Sequence, residues 1–177
     1  MRRLLVASAM LIALGGALIT AGKGTSAGRK TALSYFSSRI AVYQTATWHW
    51  EHVMGVQPTQ TAGRVLTEMS APDLRNAALL WERRAQQARI RAQHPPHLRE
   101  WLCIHHYEGS WTDTGNPYWG GLQMDVTFQR HYGAWLFAHK GTADHWTPLE
   151  QIWTAERALK SRGFWPWPNT ARFCGLL

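Results

Sequence analysis

Positive charge is missing where a nucleic-acid-binding domain would need it. The 177-residue chain carries a net charge of +8, yet residues 98–177 hold 7 Lys/Arg against 7 Asp/Glu, while residues 1–97 hold 12 against 4. A domain gripping phosphates builds a basic face from such a surplus, so nucleic acid is not a partner of the C-terminal half. No HExxH or comparable ligand spacing joins His105, His106, His131, His139 and His145, so neither a metal nor a cofactor is expected. Internal repeats and low-complexity tracts are also missing, leaving one domain of ordinary size, or a smaller one with a tether. Charge of either sign is absent from Leu4 to Gly22, directly behind Met1-Arg2-Arg3. That is the charged and then apolar order of an export signal. Residues 1–28 are therefore read as a signal peptide cut after Ala21 or Ala27, or as a retained membrane anchor, since the run nearly spans a bilayer. The Gly15-Gly16 pair favours cleavage.

Cysteine is scarce as well: only Cys103 and Cys174 occur. In an exported chain they are expected to pair, and the loop they close is worth roughly 4 kcal/mol on the chain-entropy model. Two unpaired buried thiols are the alternative reading.

Helical periodicity is present from Leu33 through Phe36, Ile40, Tyr43, Trp50 and Met54, with Thr47 filling the gap. Gly55 to Met69 reads as a loop. Ser70 then caps a second helix with Pro72 and Asp73 in its first turn and an apolar stripe of Leu74, Ala78, Trp81, Ala85 and Ala88. Arg75, Arg83, Arg84, Arg89 and Arg91 make that helix basic. The face is either simply solvated or drawn to anionic lipid head groups or acidic wall polymers. His94-Pro95-Pro96-His97 stops the helix, because neither proline donates a backbone bond and each pushes its predecessor out of the helical region. Residues 29–97 thus form a basic helical hairpin or spacer, and residues 98–177 a compact domain.

Within that domain Leu98, Trp101, Leu102 and His105 predict a helix ending near Glu108-Gly109. Turns from Thr112 to Pro117 lead into a short strand or hairpin over Tyr118 to Met124. Asp125 is placed to cap a single third element from Val126 to about His139. Thr147-Pro148-Leu149-Glu150 is a capping box opening a helix that stops at Gly163. The fold class is mainly α. Glu156 falls on the apolar stripe of that last helix, where a carboxylate needs hydrogen-bond donors to lock the packing.

Glu108 carries the chemical signal. A carboxylate in the last helical turn faces the negative end of the macrodipole, which disfavours its ionised form. Tyr107, Trp111 and Trp119 nearby would add desolvation in the same direction, as a general acid for a glycosidic oxygen requires. A solvated surface glutamate is the plain alternative. The surroundings shift the balance: Glu108-Gly109-x-Trp111, then Asn116-x-Tyr118-x-Gly120-Gly121-Leu122-Gln123, then Trp165-x-Trp167-Pro168 and Cys174-Gly175, occur in that order. From about Leu98 to Leu177 this resembles the catalytic domain of the resuscitation-promoting factors, secreted muralytic proteins of actinobacteria.

The resemblance implies a small lysozyme-like, α+β transglycosylase-like fold. It makes Glu108 the catalytic glutamate, with Asn116, Tyr118 and Gln123 at cleft positions near the sugar. Trp111 and Trp119, with Trp165 as a third, would offer flat indole surfaces to sugar faces, whereas Trp101, Trp135 and Trp153 are assigned to packing. Asp113 and Asp125 are the candidates for a second carboxylate, read respectively as a turn former and a helix cap. The family has its first cysteine directly before the glutamate, but here Tyr107 stands there and Cys103 lies one turn earlier. The C-terminal segment must then dock about 6 Å further along the helix to bridge it.

The expected activity is cleavage of the bond between N-acetylmuramic acid and N-acetylglucosamine in peptidoglycan, by a lytic transglycosylase or muramidase exported to the cell wall. A wall-binding module without turnover and a membrane-tethered interaction protein are the alternatives.

Overall fold

A computed structural model describes residues 26–61 and 65–177, and nearly all of the segment read as signal or anchor lies outside them. Among the described residues no helix is long and apolar enough to cross a membrane. The fold there is mainly helical, with seven α-helices and one two-stranded sheet.

Helices α1 (Ser26–Met54) and α2 (Ala71–Ala92) form a hairpin. The α2 stripe of Leu74, Ala78, Trp81, Ala85 and Ala88 is buried as its spacing requires. It packs on Ile40, with Leu33, Phe36 and Tyr43 flanking the contact. Ser70 caps α2, its hydroxyl accepting from the Asp73 amide. In the connection, expected to be irregular, Leu66–Glu68 makes a short 3-10 turn. The buried Glu51 carboxylate accepts from the amide of Thr59 at 2.8 Å and from its hydroxyl, fastening the loop to α1. Arg75, Arg83, Arg89 and Arg91 are exposed, while Arg84 lies over the Trp81 ring at 4.8 Å.

The C-terminal part has its own core. α3 (Leu98–Glu108) contributes Trp101 and Ile104, both fully buried. They meet Leu122, Met124, Phe128, Leu136, Trp146, Ile152 and Trp167 from the elements that follow. Trp101 sits in the middle, its ring 5.0 Å from Phe164 and 5.1 Å from Trp167. A buried indole in this setting is worth about 3–5 kcal/mol against alanine. Its N–H donates to Glu156 at 3.0 Å, and the His97 amide donates to the same oxygen at 2.8 Å, so Glu156 is a satisfied packing residue.

Strands β1 (Tyr118–Trp119) and β2 (Met124–Asp125) pair antiparallel, Tyr118 opposite Asp125 and Trp119 opposite Met124. The expected single element from Val126 to about His139 is instead two helices, α4 (Val126–Tyr132) and α5 (Ala134–Lys140). Gly133 breaks them apart with non-helical angles, φ −122° and ψ 27°. The Trp146 indole presses on this bend, so that a Cβ on Gly133 would lie 2.6 Å from the ring. Tertiary contact, invisible to local periodicity, sets this break.

α6 (Pro148–Arg162) opens with the expected capping box and ends at Gly163, which has φ 58°. Its Glu150 is buried and also bonded by Lys140 at 2.7 Å. α7 (Pro168–Phe173) follows, and Cys174 closes a disulfide with Cys103 across a Cα separation of 6.0 Å.

The hairpin is docked on this C-terminal part through α6. Trp153 donates its indole N–H to the Ala92 carbonyl at 2.7 Å and packs near Met54 and Ala88. Arg157 donates to the Val53 carbonyl at 2.6 Å and to the carbonyl of Tyr132. Burial pushes the Arg157 pKa down to about 10, so it remains charged at neutral pH. Trp135 on α5 stacks on His52 of α1 with centroids 5.0 Å apart. Trp135 and Trp153 are thus packing residues between the two parts.

Candidate functional site

Glu108 is the last residue of α3, and Gly109 beyond it has φ 144°, a conformation that suits glycine and turns the chain sharply away. The carboxylate is half-buried. Its Oε1 accepts a hydrogen bond from the Thr170 hydroxyl on α7 at 2.7 Å. Among the described residues Oε2 has no hydrogen-bond donor.

The loop leaving α3 folds back over the helix end. Asp113 accepts from the Gln123 side-chain amide at 2.7 Å through Oδ2, and from the Gly115 amide at 3.2 Å through Oδ1. Its backbone carbonyl accepts from Gly120 at 2.8 Å. A Cβ built on Gly109 would lie 3.5 Å from Asp113 Oδ2 and 3.7 Å from Gln123 Nε2. The fold therefore gathers the Glu108-Gly109 corner, Asp113 and Gln123. Gln123 has φ 47°, strained for a residue with a side chain, and its amide is held by both Asp113 and the Gly120 carbonyl.

Asp125 sits elsewhere in the hairpin and caps α4, accepting from the Phe128 amide at 2.7 Å. Trp111 is half-buried, stacked on His105 with centroids 3.8 Å apart. Trp119 is half-buried against the core. Asn116, just ahead of the hairpin, and Tyr118, in β1, stand exposed, without side-chain hydrogen bonds among the described residues. Trp165, 62% exposed, lies between α6 and α7. Of the candidate platforms, Trp111 and Trp119 share their faces with the core, and Trp165 is the open one.

Two residues in this region carry no readable sign in the sequence. Gln151 on α6 is fully buried; its carbonyl oxygen accepts from the Gly121 amide at 2.8 Å. Its NH2 donates to the carbonyls of Trp111 and Ala143, each at 2.8 Å, and of Trp146 at 3.1 Å. One amide thereby clamps the loop and the hairpin turn to α6. Thr170 is the other, a threonine in a short helix whose partner lies 62 residues away.

Three concavities among the described residues lie away from Glu108. A groove of about 740 Å³ runs between α1 and α2, lined by Ile40, Leu66, Trp81 and Arg84. Two smaller ones, about 420 and 240 Å³, sit where the hairpin meets the C-terminal part, near Trp153 and Trp135. None of the three is lined by Glu108, Asp113 or Gln123. Among the described residues no group of three His, Cys, Asp or Glu is placed to hold a metal ion.

Comparison with protein-family models, curated proteins and solved structures finds no match. The residue pattern alone carries the resemblance to the resuscitation-promoting factors.

Proposed function

We propose that residues 98–177 form a lysozyme-like domain similar to the catalytic domain of the resuscitation-promoting factors. In this reading the exported protein cleaves the bond between N-acetylmuramic acid and N-acetylglucosamine in peptidoglycan, with Glu108 as acid and base. The observation that carries it is the Glu108 carboxylate at the end of α3, tethered at one oxygen and open at the other, beside the hairpin that holds Gln123. Such a group protonates the leaving oxygen and then serves as base.

The engagement of the two other carboxylates supports an anhydro-forming transglycosylase over a hydrolase. Asp125 is spent on the α4 cap, and both Asp113 oxygens accept hydrogen bonds from Gln123 and Gly115. Retaining hydrolysis needs a second carboxylate about 5 Å from the acid, and inversion needs one about 6.5–9.5 Å away. With both aspartates held on structural partners, Glu108 as base draws the muramic acid 6-hydroxyl onto C1, giving a 1,6-anhydro end without water. The basic hairpin would hold the enzyme to acidic wall polymers or anionic head groups.

The alternative, a wall-binding or membrane-tethered protein without turnover, is favoured by one observation: the large groove lies between α1 and α2, not at Glu108. Zymography on purified cell wall separates the two. Lysis by the wild type and none by Glu108→Gln is the expected result; lysis retained by the variant would falsify the role of Glu108. Mass spectrometry of the released muropeptides should find anhydro ends, one water lighter than reducing ends. Reducing ends alone would return Asp113 to consideration as a second carboxylate.

A further inference from the structure

α3 and α7 run antiparallel and are tied at three successive places. The Cys103–Cys174 bridge joins them covalently. One turn along, the rings of Tyr107 and Phe173 meet with centroids 5.4 Å apart. At the end of α3 the Thr170 hydroxyl reaches Glu108. Numbers rise along α3 as they fall along α7, so the covalent tie fixes the register that sets Thr170 opposite Glu108. A bridge one helical turn away from the glutamate, rather than directly before it, leaves room for this contact.

Thr170 is 9% exposed, and its hydroxyl has one proton to give. The Trp167 carbonyl is also in reach, but at 3.4 Å it competes poorly with a carboxylate at 2.7 Å. The bond therefore goes to Oε1 and fixes the plane of the carboxylate.

We propose that Thr170 is a positioning residue for Glu108, holding Oε1 so that Oε2 faces the glycosidic oxygen, with the α3–α7 bridge setting the register. This rests on the reading of Glu108 as the acid and base. Thr170 itself touches no substrate in this scheme.

Thr170→Val keeps the shape and removes the donor, Thr170→Ser keeps the donor, and Thr170→Ala stands in should the valine variant misfold. Each is compared with the wild type and Glu108→Gln in two ways. One is the rate of cell-wall solubilisation against substrate concentration. The other is the carbon-13 chemical shift of the Glu108 carboxyl at one fixed pH, which needs no turnover. Thr170→Val is expected to lose roughly tenfold in kcat, with KM within about twofold of the wild type, an effect of the size of one charge-assisted hydrogen bond. The carbon-13 signal of the Glu108 carboxyl in Thr170→Val should be displaced from its wild-type position, marking loss of the donor. Thr170→Ser should restore both.

A Thr170→Val protein that matches the wild type in the carboxyl carbon-13 shift and in kcat overturns the proposal. So does a Thr170→Ser protein as impaired as Thr170→Val, because that marks packing and not the donor. A wild type that releases no glycan overturns the acid and base reading and the positioning role with it. The NMR arm keeps that result apart from loss of the Thr170 contact.

Discussion

At Gly121 a single added methyl group would meet two rings, lying 2.6 Å from His105 Nδ1 and 2.7 Å from the Trp111 indole. The hairpin turn passes so close beneath the His105–Trp111 stack that no side chain fits. Gly121→Ala should therefore destabilise by about 1–3 kcal/mol through overpacking, read as a lower urea midpoint with an unchanged slope. Gln151→Leu attacks the same clamp from α6. It strands the Gly121 amide and the carbonyls it served, and should cost about 2 kcal/mol or more in the same titration. The glycine pair was legible only as part of a short strand or hairpin, and its close approach to the rings is a tertiary contact. Gln151 was not legible, since a glutamine beside Ile152 has no periodic signature and its partners come from three separate segments.

Elements with their signals written locally are found where those signals put them. Ser70 caps α2, Thr147 and Glu150 open α6, and Gly163 closes it, because caps and their partners lie within four residues of each other. The break at Gly133 and the contact between α3 and α7 depend on residues far along the chain. Cys103 and Cys174 are 71 residues apart, and bridging them should stabilise the fold by about 4 kcal/mol on the chain-entropy model. Cys103→Ser with Cys174→Ser is expected to lower the unfolding free energy by that order in a denaturant titration. Mass spectrometry of the non-reduced wild type should find no free thiol.

Across the whole molecule, the docking of the hairpin depends on a cluster at the foot of α1. His49 lies 4.9 Å from the Trp50 ring and 5.9 Å from Trp135, with His52, Lys140 and Glu150 as its charged or titratable neighbours. Burial holds its pKa below the usual histidine value, more than Glu150 offsets, with Lys140 and His52 adding to the lowering. The unfolded chain then takes up a proton near pH 6.5 before the folded one does, so stability present above that pH is lost as the pH falls through it. The melting temperature should drop between pH 7.5 and 5.5, and His49→Phe should flatten that drop. An equal drop in the variant would assign the pH dependence to other groups.

Composition, periodicity and capping determined that the chain is mainly helical, that a basic hairpin precedes a short-stranded helical part, and that two cysteines stand ready to pair. Those properties follow from neighbours within about two turns, where side-chain spacing and backbone hydrogen bonding act directly. The pattern around Glu108 also singled out Asp113 and Gln123, though not that they bond to each other. Only the tertiary structure decided that Asp113 is engaged by Gln123, that Thr170 holds Glu108, and that the hairpin is docked by Trp153 and Arg157. Each of those contacts joins segments separated by loops, and its geometry is fixed by how the cores of both parts pack, a sum over many residues that no local window contains.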